Sequence, residues 1–200
     1  MIQKRFDELF SSLQQCIYTK GNLVISLEEG FRFAYDLLSQ VKAQKGLTYV
    51  IGNGGSAGIA SHFCTDLVKA LEVPAMTLFD SNLLTCLGND YGYEHVFSVP
   101  IKTMGNPDDV LVAISSSGKS PNIVNAALMA RKKGLKVITL SGFSATNPLR
   151  QIGDLNFFID KADYGFVEMS HFCLLHTLVD LWKEEKFSIQ EEVRELIHAP

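Results

Sequence analysis

The stretch YVIGNGGSAGIASHFCTDLV, residues 49–68, decides the fold. An apolar run ends abruptly in Gly52, Asn53, Gly54, Gly55 and Ser56, and a helical pattern begins at once. A strand that stops at glycines and hands over to a helix is a βα unit, the building block of a parallel sheet covered on both faces. The remaining apolar runs extend this reading. LTYVI (47–51), PAMTLF (74–79), DVLVAI (109–114), LKVITL (135–140) and LNFFI (155–159) are each short enough and apolar enough for a doubly buried strand. Helical patterns fill the gaps at about 56–71, 81–88 with 93–103, 120–133 and 146–152, and a long one runs from about 163 to 185. The fold class is therefore α/β, a doubly wound parallel sheet of five strands.

Residues 1–43 read as two helices, the first carried by Phe6, Leu9, Phe10 and Leu13, the second by Leu27, Phe31, Ala34 and Leu38. The tail SIQEEVRELIHAP (188–200) reads as a further amphipathic set of turns. We expect one domain over 1–200, with 1–43 as a helical arm. Hydrophobic residues make up 46% and charged residues 20%, enough for a full core without disulfide or metal staples. The net charge of −4 and the lack of a long basic run argue against nucleic acid as a partner. The N-terminus has no apolar signal region, and no run approaches the roughly 18 apolar residues of a membrane span. A cytoplasmic protein without a membrane partner is expected. Cys16, Cys64, Cys86 and Cys173 form no CxxC pair and read as buried thiols.

In sheets of this class ligands sit beyond the carboxyl ends of the strands. Two loops there are chemically alike: GNGGS (52–56) after the first strand and SSSGKS (115–120) after the third. Both are small and polar, and both open a helix. Glycine lets a ligand approach the backbone, serine hydroxyls donate, and the free N–H groups of a helix N-terminus favour an anion. Together they suit a phosphate monoester. Gly52, Gly54 and Ala57 nearly match the dinucleotide fingerprint, but only Asp80 loosely offers its acidic partner, and the serine loop stays unexplained. Gly118, Lys119 and Ser120 match the end of a P-loop, but Ala113 stands where its first glycine belongs. A plain βα turn capped by Ser56 or Ser120 explains one such loop, not two.

His62 and Asp66 are four residues apart on the helix after the glycine loop and share a face. Glu168, His171 and His176 lie on the last long helix, Glu168 and His176 about two turns apart. That helix is otherwise strongly apolar, so its polar groups need partners. Two imidazoles and two carboxylates could complete a tetrahedral zinc site, or act as a general acid/base pair on a sugar carbonyl.

The elements GNGGS…HF…D, NDYGYEHVFS (89–98), DVLVAISSSGKSPNIVNAALMARKKGLKVITLSG (109–142) and VEMSHFCLLHTLVDLW (167–182) resemble the sugar isomerase (SIS) domain, most closely the phosphoheptose isomerases. Those enzymes interconvert sedoheptulose 7-phosphate and D-glycero-D-manno-heptose 7-phosphate. The resemblance implies a flavodoxin-like sheet and a homotetramer with sites formed between subunits. It implies one zinc per subunit on His62, Asp66, Glu168 and His176, with Asp66 and His176 as the catalytic pair. The phosphate would sit on Ser117 and Ser120, with Ser115 and Ser116 nearby. Asn53, Gly54, Gly55 and Ser56 would line the sugar, with Asp90 and Glu168 helping to hold it. The pathway implied is precursor synthesis for a surface polysaccharide, lipopolysaccharide or capsule. The chain departs from the family pattern at Asp66 (Glu in the family), Glu168 (Gln), Ala70 (Arg) and Gly165 (Asp). These departures keep two other readings open: an isomerase for a different phosphosugar, and a non-enzymatic scaffold resembling the DnaA initiator-associating proteins. A third, a phosphosugar sensor, would need the serine loop but not His176.

Overall fold

The computed structural model describes residues 1–184. A helix α1 (Ile2–Gln14) leads into a hairpin, β1 (Ile17–Lys20) and β2 (Leu23–Ile25), and then α2 (Leu27–Gln44). The βα units follow: β3 (Thr48–Ile51), α3 (Gly55–Leu71), β4 (Ala75–Thr77), α4 (Ser81–Tyr91), α5 (Ser98–Met104), β5 (Val110–Ser115), α6 (Pro121–Lys133), β6 (Lys136–Gly142), β7 (Leu155–Ile159) and α7 (Tyr164–Lys183). Seven strands lie in the order β2-β1-β7-β6-β5-β3-β4. The five expected strands are all present and run parallel, while the hairpin adds two antiparallel strands along β7.

The hairpin is the main departure from the expectation of two helices and five strands. Ile17-Tyr18-Thr19 is β-branched and aromatic, and Gly21-Asn22 makes a tight turn with Gly21 at φ 55°. Asn156 in β7 donates its amide to Thr19 Oγ1 at 3.0 Å, which ties the hairpin to the buried sheet. The helix expected at 146–152 shrinks to one 3-10 turn, Leu149–Gln151, between Pro148 and Gly153. The expected tail at 188–200 lies outside the described residues. Among the cysteines, Cys16 is buried and Cys64 half-buried, but Cys86 on α4 and Cys173 on α7 are exposed, so the reading of four buried thiols is corrected.

Strand alternation divides the core in two. Val110, Val112 and Ile114 of β5 face α2, α3 and α7, meeting Leu38, Phe63, Leu67, Leu174 and Leu175. Leu111 and Ala113 face α4, α5 and α6, meeting Leu87, Ile101, Ile123 and Ala126. The carboxyl ends of β3 and β5 adjoin where the chain turns outward in opposite directions, toward β4 on one side and β6 on the other. This is the switch point of an open α/β sheet, and the glycine and serine loops leave the sheet there.

The α7 face of this core holds a fully buried imidazole, His171. Its Nε2 donates to the carbonyl of Ser141 at 3.2 Å, and its Nδ1 has no partner among the described residues. Burial disfavours the charged ring and lowers its pKa from 6.5 to about 4. Between those values the unfolded chain takes up a proton that the folded one refuses. Stability must therefore fall as the pH falls through this window, by a total on the order of 3 kcal/mol. Urea unfolding across the window should show this slope, and His171→Leu should flatten it whatever its offset near neutrality.

Candidate functional site

The glycine and serine loops form a cavity of about 240 Å³ at the switch point. Asn53, Gly54, Gly55 and Ser56 make one wall and Ser115, Ser116, Ser117 and Ser120 the other. Ile114 closes the floor, and Tyr164 and Glu168 of α7 complete the rim. The serines expected to hold a phosphate and the residues expected to face the sugar therefore line one space. No lysine or arginine among the described residues lines it. Positive potential comes instead from two helix ends. α3 begins at Gly55 and α6 at Pro121, and neither Gly54 nor Ser120 makes a side-chain cap bond. The N–H groups that open α3 and the dipoles of both helices suit an anion; at α6 Pro121 has no N–H and that of Ile123 is taken by Asn122 Oδ1, so the dipole is its main contribution. The buried Ser116 hydroxyl adds a group without a partner among the described residues. An unpartnered buried hydroxyl is costly unless something binds it.

Three asparagines hold the serine loop, a pair on one side and a single one on the other. Asn53 and Asn122 exchange amide hydrogen bonds, both at 2.9 Å, locking the glycine loop to the start of α6. Tyr93 donates to Asn53 Oδ1 at 3.3 Å from outside. On the far side Asn147 is fully buried. Its amide nitrogen donates to Ser141 Oγ at 3.1 Å and to the Ser144 carbonyl at 2.9 Å, and its Oδ1 accepts from the Arg150 N–H at 2.9 Å. Gly118 takes φ 63° directly against this side chain, and a Cβ there would overlap it. The Gly118 carbonyl also accepts from Leu149, and the Gly142 N–H donates to the Ser116 carbonyl. Asn122 and Asn147 were not among the residues singled out in the sequence. Asn122 could have been suspected from its place at the start of a helix. Asn147 bonds within its own neighbourhood, to Ser141, Ser144 and Arg150, and what ties it to the site is its long-range packing against Gly118, which spacing does not reveal.

The second group of functional side chains lies farther along the same helices. His62 Nε2 and His176 Nδ1 approach one oxygen of Asp66, Oδ2, at 3.2 and 3.3 Å. The Phe172 ring stacks on His176 at 5.9 Å and 6° and lies 4.9 Å from His62, fixing both imidazoles. The ligand atoms of His62, Asp66 and His176 lie within 4.8 Å of one another, a spacing that a metal ion could bridge. Glu168 does not join this group. Its carboxylate lies against Gly55 and lines the cavity, so it belongs there and not to the cluster of three. Asp90 also stands apart: it sits on α4, accepts from the Asn89 amide at 2.8 Å and lines none of the cavity. The helix ends at Tyr91, and after Gly92 at φ 90° it is the Tyr93 side chain that reaches the glycine loop.

Cavity and cluster share a seam. Gly55, His62 and Asp66 recur on one face of α3, and Tyr164, Glu168, Phe172 and His176 make an i, i+4 ridge along α7. At 1.5 Å per residue, His62 lies about 10 Å along α3 from Gly55. An anion at the loops and a reacting carbon at Asp66 would therefore belong to one extended molecule. Gly118→Ala should push the serine loop off Asn147 and weaken inorganic phosphate binding about tenfold or more, the value of a charge-assisted hydrogen bond or two. Calorimetric titration checks this, with circular dichroism confirming the fold.

The SIS domain family matches residues 19–142. The phosphoheptose isomerase of Sulfurimonas denitrificans is 32% identical over 192 residues, 93% of each chain. The structure of the phosphoheptose isomerase of Neisseria gonorrhoeae superposes with a TM-score of 0.77 at 30% identity, covering 90% of this chain and 98% of that one. That of Francisella tularensis gives 0.79 at 27%, covering 92% and 96%. By the family match over residues 19–142, the identity along 93% of the chain and the shared fold, this chain belongs to the SIS domain family, in its phosphoheptose isomerase branch.

Proposed function

We propose that the chain is an aldose–ketose isomerase converting sedoheptulose 7-phosphate to D-glycero-D-manno-heptose 7-phosphate, a step in heptose precursor synthesis. The observation that carries this reading is the seam. An anion cavity and a histidine–carboxylate cluster lie on the same two helices about 10 Å apart. A phosphate on Ser116, Ser117 and Ser120 leaves the far end of a long open-chain sugar beside Asp66 and His176. A short sugar phosphate would not reach.

Asp66 is the base that takes the proton from the carbon next to the carbonyl, giving a cis-enediol. His176, hydrogen-bonded to Asp66 and stacked on Phe172, returns a proton at the neighbouring carbon. Asp66 is one methylene shorter than the family's Glu, and the two imidazoles that converge on its Oδ2 hold it in place. Asn53, Gly54 and Ser56 face the middle of the sugar, and Glu168 accepts from its hydroxyls.

His62 Nε2, Asp66 Oδ2 and His176 Nδ1 would hold a zinc ion, one per subunit, which leaves Asp66 Oδ1 and His176 Nε2 for proton transfer. Two imidazoles and one carboxylate with a position left open is the donor set of catalytic zinc. When bound, the ion supplies Lewis acidity for the carbonyl and enediol oxygens. We further propose a cytoplasmic homotetramer. Ile2, Phe6 and Phe10 of α1, Leu23 and Val24 of the hairpin and Met169 of α7 are large exposed apolar side chains that partner subunits would cover. No described helix is long and apolar enough to cross a membrane.

Asp66→Asn and His176→Ala should each lower kcat by about 100-fold, the contribution expected of a general acid or base. Product analysis with sedoheptulose 7-phosphate checks this, and near-normal turnover in both would refute the assignment. Chelation should abolish turnover and added zinc should restore it, with metal content measured by mass spectrometry before and after.

A further inference from the structure

The rim of the cavity contains a strained aromatic pair that the reaction above does not use. Phe143, the residue after β6, adopts φ 62°. A bulky aromatic side chain is out of place in this left-handed region, and such outliers persist only where the surroundings force them. Two contacts force this one. The Phe143 N–H donates to the Lys161 carbonyl at 2.8 Å, which pins the connection between β7 and α7. Its ring packs on Tyr164 with centroids 4.9 Å apart. On its other side the Phe143 ring rests on the apolar core beneath α7.

The strain therefore sets one thing, the placement of Tyr164. That residue is the first of α7 and lines the cavity together with Glu168, one turn on, and with the serine loop. Its side chain is largely exposed, at 61%, so the core does not need it. Among the described residues its ring pairs with no aromatic ring other than Phe143, and its hydroxyl has no hydrogen-bond partner. Asp163, immediately before it, already caps α7 by accepting from Phe166, so Tyr164 is not needed to start the helix. An amphipathic ring with a free hydroxyl, fixed at the mouth of a polar cavity, is suited to a polyhydroxylated chain: the ring covers C–H groups and the hydroxyl bonds to an alcohol.

We propose that Tyr164, held by Phe143, is a specificity-determining residue that reads the hydroxylated carbon chain of the phosphosugar, while the serine loop reads only its phosphate. This rests on the isomerase reading above for the class of ligand. Ring and hydroxyl contribute separately, so they can be removed separately.

The test is calorimetric binding of sedoheptulose 7-phosphate and, in parallel, of inorganic phosphate to the full chain. Tyr164→Phe should weaken the sugar phosphate about fivefold, the worth of one neutral hydrogen bond. Tyr164→Ala should weaken it more than tenfold. Phe143→Ala should approach the Tyr164→Ala value, because the ring loses its support. Inorganic phosphate affinity should stay within about twofold of wild type in all three, a split that general loosening of the site would not produce. Sugar phosphate binding by Tyr164→Ala within twofold of wild type would overturn the proposal. Equal losses for both ligands would overturn it too, by showing that the pair only supports the loop. Wild-type binding without turnover would overturn the isomerase reading alone. Failure of wild type to bind the sugar phosphate at all would overturn both.

Discussion

The packing of α3 against α7 is the contact on which the rest of the site depends. The helices come from distant parts of the chain and are joined by Phe63 and Leu67 on one side and Leu174 and Leu175 on the other, all buried within one core. Each such side chain contributes about 1.5–3 kcal/mol on burial. The polar contacts above them, His62 to Asp66 and His176 to Asp66, involve imidazoles that are nearly half exposed. Exposed pairs of this kind contribute about 0–1 kcal/mol. The apolar contact therefore holds the helices, and the histidines and carboxylate ride on it. Their position is set by packing, which leaves their own bonding free to change when a ligand arrives.

The cavity at the other end of the seam handles charge without a cation. Two uncapped helix ends, a buried unpartnered hydroxyl and a glycine held in a left-handed conformation face it. Only the rigid fixing of the loops makes such weak groups add up, and the paired asparagines supply it. Asn53 and Asn122 join the two loops to each other, while Asn147 joins the second loop to the strand beside it. A lysine would bind phosphate at any of several angles; preorganised N–H groups accept one. This favours the phosphate of a substrate that must also place its carbonyl at a fixed distance.

Two of the departures from the family pattern can be placed in the fold. Glu168, where the family has Gln, lies against Gly55 in the cavity and stays out of the cluster of three. Gly165, where the family has Asp, is flanked by the Arg5–Asp163 ion pair at 3.1 Å and by Tyr164 at the rim.

The βα units, the two ligand loops and the His62–Asp66 pair were legible because each is local. Strand runs declare themselves by apolar content, helices by a 3.6-residue period, and a pair on one helix face by spacing alone. The hairpin was missed because two strands of three or four residues carry too few positions to outweigh the helical patterns on either side. Glu168 was placed with the metal group because helical phase puts it near His176 in direction, but phase says nothing about which neighbour a side chain meets two turns away. Asn147, Phe143 and Tyr164 could not be found at all, since what defines them is a partner from another segment. The sequence by itself determined which residues could carry phosphate and proton chemistry. Only the tertiary structure decided which of them share a space, because the contacts that gather them are long-range and are closed by the burial of side chains that do no chemistry.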